Sequence, residues 1–371
     1  MRARNETRSS DGQRELVVHR LGRVEYEDGL KLQKLVGEAR SRDLVSDTLL
    51  LLEHPPVLTL GRAANRTNIL AGPERLSELG VEVFETNRGG DVTYHGPGQI
   101  VGYPIFRLSP DRQDVRRYVR NVEESLIRAL GRFGISGTRM PTYPGVWVGA
   151  DPDRAAKIGA IGVHLSRWLT SHGFALNVNT NLSYFDLIVP CGIERLGVTS
   201  MQRELGRAID LAEVERELSK SFAEVFDARL QEGHVSLKTI SVAVLRKRDG
   251  QNQVLLLRRR RERGGFWQIV TGRIDPRESA LEAARRELTE ETGFELPVED
   301  LGYRHAFALG EEVPPQLVEE TAFAAWQKRE QPVRLNPDEH DALEWLPVRA
   351  ALEQLPFPGL RNAVLRAVAA S

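Results

Sequence analysis

Apolar residues recur at two different spacings along the first two thirds of the chain. The run Thr48-Leu49-Leu50-Leu51-Leu52 is followed, after His54-Pro55-Pro56, by Val57-Leu58-Thr59-Leu60. This predicts two buried strands around a Pro-Pro turn. Over residues 115–133 the apolar positions Val115, Val119, Val122, Leu126 and Leu130 follow a helical period, and Gly134 supplies a stop. Strands are expected at 145–148, 156–165 and 173–178. A second helix is expected over 211–230, with Val214, Leu218, Phe222 and Val225 on one face.

The pattern restarts near residues 231–237. Ile240-Ser241-Val242-Ala243-Val244-Leu245 and Val254-Leu255-Leu256-Leu257 flank Asp249-Gly250, a hairpin signal. A chain of 371 residues also exceeds one ordinary core. The expectation is a polar, disordered leader at 1–13, a first domain at 14–232 and a second at 236–371. The mixture of strands and helices gives an α/β (α+β) fold class.

Composition adds exclusions. Charged residues make up 28% and the formal net charge is -1, so nothing calls for nucleic acid or an anionic membrane as partner. The cluster Arg258-Arg259-Arg260-Arg261-Glu262-Arg263 has an acid inside it and no interleaved aromatics. It reads as a solvated strand end rather than a nucleic-acid patch. Cys191 is the one cysteine, which rules out an internal disulfide and a multi-cysteine zinc site. No apolar run approaches the ~20 residues that span a bilayer, and the first residues lack the apolar segment of a signal peptide. The expectation is a cytoplasmic protein.

The most specific motif lies in the second domain. Gly272 is followed by Glu278, then by Arg286-Glu287-Leu288-Thr289-Glu290-Glu291-Thr292-Gly293. Residues 279–292 should be helical, which puts Glu287, Glu290 and Glu291 on one face. Like charges so placed repel, and a hard divalent cation would turn repulsion into coordination. This spacing resembles the Nudix box at every defined position. The resemblance implies an α/β/α sandwich that hydrolyses a nucleoside diphosphate linked to another moiety, with a small-molecule nucleotide as substrate. It also implies Mg²⁺ on Glu287, Glu290 and Glu291, and charge pairing of Glu278 with Arg286 to hold the loop and helix. Glu339, in Glu339-His340, is an additional candidate ligand or base.

The first domain carries Arg88-Gly89-Gly90-Asp91-Val92-Thr93-Tyr94-His95, then Lys157-Ile158-Gly159-Ala160-Ile161-Gly162-Val163, His172-Gly173-Phe174-Ala175 and Pro190-Cys191-Gly192. Glycines permit close backbone approach to a ligand, and Arg88, Thr93 and His95 add donors. A cysteine thiolate is a nucleophile that can carry a group covalently, so a transfer divides into two steps. A free cysteine is mostly protonated at neutral pH, and Lys157 is the candidate cation that favours the thiolate.

These ordered blocks resemble the lipoyl(octanoyl) transferase family, which shares its mixed sheet with biotin and lipoate protein ligases. The resemblance implies Cys191 and Lys157 as catalytic residues and no cofactor for acyl transfer. Arg88, Gly89, Gly90, Asp91, Val92, Thr93, Tyr94, His95, Ala160, Ile161, Gly162, Gly173, Phe174 and Ala175 would line the acyl site. The implied partners are octanoyl-acyl carrier protein, the lipoyl domains of 2-oxoacid dehydrogenases and the glycine cleavage H protein. Two other readings share these residues. A lipoate ligase would use the same fold with ATP and needs no nucleophilic cysteine. The second domain could also bind a nucleotide as a regulatory module without turnover.

Overall fold

The structure, a computed structural model, describes residues 14–141, 143–149, 151, 154–189 and 196–370. The expected leader at 1–13 and the candidate nucleophile Cys191 lie outside the described residues. The chain divides into two compact units, Met1–His234 with Ala308–Pro315 and Val235–Phe307 with Gln316–Ser371. Among the described residues no helix is long and apolar enough to cross a membrane.

The first unit is built on a mixed sheet. Its strand order is Gly197–Val198, Ala156–Ser166, Leu169–Asn177, Gln99–Ile105, Asp47–Glu53, Arg14–Arg23 and Ala228–Glu232, and Val146–Val148 also pairs with Ala156–Ser166. Asp47–Glu53 is buried at nearly every position, as a central strand covered on both faces must be. After it, the Pro-Pro turn sends Val57–Leu60 into a separate three-stranded sheet with Glu82–Glu85 and Val92–His95. Ala156–Ser166 and Leu169–Asn177 form a hairpin that puts Ala160 opposite Ala175 and Gly162 opposite Gly173. Arg167 and Trp168 turn it with φ of 51° and 63°, the backbone that a two-residue hairpin loop demands.

One face of this sheet is covered by the helices Val115–Gly131 and Leu211–Val225. Asp114 and Asp210 cap them through side-chain acceptors. Val122, Leu126, Leu130, Val214, Leu218 and Phe222 pack with Ile100, Phe174 and Leu176.

The second helix ends at Val225, short of the expected residue 230. Asp227 takes φ 51° and breaks the helix, and Ala228–Glu232 pairs in parallel with Arg14–Arg23. Leu230 fits a helical period equally well. The deciding factor is the unpaired edge of a distant strand, which satisfies the backbone of 228–232. Arg20 to Glu232 (2.5 Å) and Arg229 to Glu15 (2.5 Å) fasten that edge.

The second unit is a sandwich around a sheet ordered Trp267–Gln268, Gln251–Arg259, Leu237–Arg248, Gln316–Gln327 and Val298–Leu309. Val270–Arg273 also pairs with Leu237–Arg248, and His340–Pro347 with Gln251–Arg259. Helix Ala280–Thr292 covers one face, with Ala283, Ala284 and Leu288 against Ile240, Val242 and Val244. Helices Val348–Gln354 and Pro358–Ala369 cover the other, with Ala351, Leu360 and Val364 against Ala243 and Leu245. This is the expected α/β/α arrangement.

Candidate active sites

In the first unit the hairpin Ala156–Ser166/Leu169–Asn177, the strand Gln99–Ile105 and the loop before Val92–His95 enclose a cavity of about 490 Å³. That volume lies in the range of small-ligand sites. Of the residues expected there, Arg88, Gly89, Gly90, Asp91, Val92, Thr93, His95, Ala160, Ile161, Gly162, Gly173, Phe174 and Ala175 line it, together with Lys157. Tyr94 does not. Strand alternation turns its ring to the opposite side, where it stacks on Tyr184 at 4.9 Å and meets Phe185.

Arg88 is buried and pinned. Its guanidinium donates to Thr59 Oγ1 (2.9 and 3.1 Å), to the Thr59 carbonyl (2.5 Å) and to the Gly89 carbonyl (3.0 Å). His95 Nδ1 lies 2.8 Å from Gln99 Oε1, and Gln99 in turn donates to Asn177 Oδ1 at 2.9 Å. Burial, reinforced by His54, depresses the His95 pKa to about 3. His172 holds φ 54°, its Nε2 is 2.7 Å from Asn87 Oδ1, and burial followed by Arg88 lowers its pKa to about 4. Both imidazoles are thus neutral and hydrogen-bonded, which suits a wall of the cavity better than a base.

Several lining residues were not legible beforehand. Tyr26, Val101, Tyr103, Val119 and Tyr143 come from scattered segments. The alternation Gln99, Val101, Tyr103 could have marked one face of a strand. The Tyr103 hydroxyl is 2.7 Å from Nε2 of buried His54, whose Nδ1 meets the Val24 carbonyl at 2.7 Å.

Lys157 sits at the other part of the cavity wall. Its Nζ lies 4.7 Å from the centroid of the buried Trp147 ring. Its carbonyl accepts from the Thr199 amide at 3.0 Å, and Val198 is its strand partner. The described segment that follows Cys191 in sequence therefore runs directly beside Lys157.

In the second unit, Ser279 caps helix Ala280–Thr292 in a capping box with Glu282, and Gly293 ends it with φ 72°. Arg286 binds Glu278 through two 2.9 Å contacts and also reaches the Arg273 carbonyl. The same guanidinium meets Glu287 at 2.7 Å and Glu290 at 3.2 Å. Glu278 is held below the usual carboxylate range, chiefly by the Arg286 hydrogen bond.

Glu291 points inward instead. Burial lifts its pKa to about 7 against the pull of His340. His340 Nε2 lies 3.4 Å from Glu291 Oε2, outside hydrogen-bond geometry, and among the described residues both Glu291 oxygens and both His340 nitrogens lack a hydrogen-bond partner. Glu291, Glu339 and His340 offer donor atoms within 4.8 Å of one another. These orphaned donors fit a bound cation. Glu287 and Glu290 lie on the same helix and each also pairs with Arg286.

The arginine run ends the strand Gln251–Arg259, as expected of a solvated strand end. Arg258 pairs with Asp341 (2.7 Å) and Arg263 with Glu339 (3.6 Å).

Residues 25–223 match the family described as the lipoyl protein ligase A/B catalytic domain, and residues 237–366 match the NUDIX domain. The chain belongs to the lipoyl protein ligase A/B catalytic family and carries a C-terminal Nudix domain. Its relatives include octanoyltransferases. The octanoyltransferase of Myxococcus xanthus is 61% identical over 95% of this chain and 99% of its own length. The octanoyltransferase of Rubrobacter xylanophilus is 55% identical over 57% of this chain and 93% of its own. Among solved structures, a bipartite lipoate protein ligase from Thermoplasma acidophilum is 16% identical, covering 59% of this chain and 87% of that one, with TM-score 0.49.

Proposed function

We propose that this chain transfers an octanoyl group from octanoyl-acyl carrier protein to a lysine of lipoyl domains, including those of 2-oxoacid dehydrogenases and the glycine cleavage H protein. The catalytic unit is residues 14–232. The thiolate of Cys191 attacks the thioester carbonyl and expels the carrier thiol. The acceptor amine then attacks the acyl-cysteine and expels Cys191. Lys157 favours the thiolate and carries the proton released by the amine. The observation that supports this is the lining of the cavity by Lys157, whose strand pairs with the segment just after Cys191. Its test is incubation with octanoyl-acyl carrier protein and no ATP. A mass gain of one octanoyl group on Cys191, absent from Cys191→Ala, is expected. Transfer that requires ATP would favour the ligase reading instead. On this reading we propose that the protein works in the cytoplasm, beside its carrier and acceptors.

Residues 236–371 are proposed to hydrolyse a phosphoanhydride in a small nucleotide. A divalent cation, Mg²⁺ by the all-carboxylate motif of Glu287, Glu290 and Glu291, would be held at the helix face. Bound there, it would neutralise the pyrophosphate and acidify the attacking water. Arg286 and Glu278 lock the loop that precedes the helix. Buried Glu291 with its unpartnered oxygens supports this reading. A panel of nucleoside triphosphates, dinucleotides and ADP-ribose with Mg²⁺ tests it. Turnover that falls by orders of magnitude in Glu291→Gln is expected. Binding of a nucleotide without turnover would favour the regulatory module.

A further inference from the structure

Glu291 comes from the helix Ala280–Thr292, while Glu339 and His340 come from the entry to the strand His340–Pro347. Chain segments far apart in sequence thus bring three donors within 4.8 Å of one another. Glu291 and His340 are each only 1% exposed. Even so, among the described residues neither carboxylate oxygen and neither ring nitrogen has a hydrogen-bond partner. Leaving such groups unpaired in an apolar interior is costly. A cation facing the group removes that cost.

The spacing suits this. Two donors each about 2.1 Å from an octahedral ion lie roughly 3 Å apart. Glu291 Oε2 and His340 Nε2 are 3.4 Å apart, which is close to that value and outside hydrogen-bond geometry. Glu339 is the more open member of the set and leaves a side for solvent or substrate.

The nitrogen donor alters the class of ion. Carboxylates alone favour hard Mg²⁺, whereas imidazole in the set favours the first-row transition series. We infer that Glu291, Glu339 and His340 form a mixed carboxylate–imidazole site that binds a transition-metal dication of the Mn²⁺-to-Zn²⁺ series more tightly than Mg²⁺. This rests on the reading of the second unit as a cation-dependent hydrolase, and it names the class of cation.

The test uses the full-length, tag-free chain with Mn²⁺ as probe. Bound Mn²⁺ is titrated by electron paramagnetic resonance and competed with Mg²⁺, and pulsed spectra are searched for nitrogen hyperfine modulation. Nitrogen modulation is expected, together with Mn²⁺ affinity about 10-fold or more above that for Mg²⁺. His340→Gln removes the modulation and lowers the Mn²⁺-to-Mg²⁺ affinity ratio about 10-fold or more. Absence of modulation in the unsubstituted chain overturns the inference, and that measurement needs no variant to fold. So does an affinity ratio that His340→Gln leaves unchanged. Mg²⁺-supported hydrolysis without nitrogen modulation sinks this inference and spares the hydrolase reading. Modulation without hydrolysis of any nucleotide does the reverse.

Discussion

Gly272 leaves the space that the Glu287 carboxylate occupies. A Cβ at position 272 would lie 2.0 Å from Glu287 Cδ. Gly272→Ala therefore displaces Glu287 and, with it, the Arg286 contact at 2.7 Å. Displacement by about an ångström at a reacting centre costs up to roughly 100-fold in rate. Hydrolysis by Gly272→Ala is expected to fall by that order while octanoyl transfer on the same preparation stays unchanged. Unaltered hydrolysis would remove Glu287 from the site.

Lys157→Met should lower octanoyl transfer by roughly 100- to 10,000-fold, the range for loss of a proton-transfer group. Thermal stability should change little beside that, and nucleotide hydrolysis should persist. Transfer within a few-fold of the unsubstituted protein would assign the proton traffic elsewhere.

Tyr94 and Ala160 separate position in sequence from position in the cavity. Tyr94 packs on Tyr184 outside the lining, and Ala160 is on the wall. Tyr94→Phe should leave kcat/KM for octanoyl-acyl carrier protein nearly unchanged and cost about 1 kcal/mol or less in stability. Ala160→Leu fills the cavity and should reduce transfer roughly 10-fold or more. The reverse order of effects would place the acyl group elsewhere.

His54, His95 and His172 are held neutral by burial, with pKa values of about 4, 3 and 4. Their ring resonances should not titrate between pH 8 and 5.5. One that moved with a midpoint near 6.5 would show that ring to be solvated. Unfolded histidine titrates near pH 6.5. As pH falls from there toward 4, the unfolded chain takes up protons that these rings refuse, so they withdraw stability across that window. Asp28 and Glu215 act in the opposite direction. Burial raises both to about 7, so their folded forms take up protons first and add stability as the pH falls.

Local signals read well from sequence. The helix expected over 279–292 starts at Ala280 behind its Ser279 cap, and Val122, Leu126 and Leu130 give the face of the first one. Both depend on neighbours a few residues away. The end of the helix at Val225 was misplaced because the edge strand competing for 228–232 begins more than 200 residues earlier. Tyr26 and Tyr103 were missed for the same reason, since only the folded sheet brings their segments to one wall. His340 stood in view beside Glu339. Its meaning depends on Glu291, which is close in space and distant in sequence.

The parallel pairing of Ala228–Glu232 with Arg14–Arg23 also bears on how the protein is made. The first described strand of the first unit flanks the last strand of that unit. Until residue 232 has been synthesised, Arg14–Arg23 presents an open edge on one side, a template for pairing with other chains. The nascent first unit thus lacks the last strand of its sheet until late in its synthesis. The sheet is completed only when translation has reached the border with the second unit, and truncation shortly before residue 228 moves the outer edge inward to Arg14–Arg23.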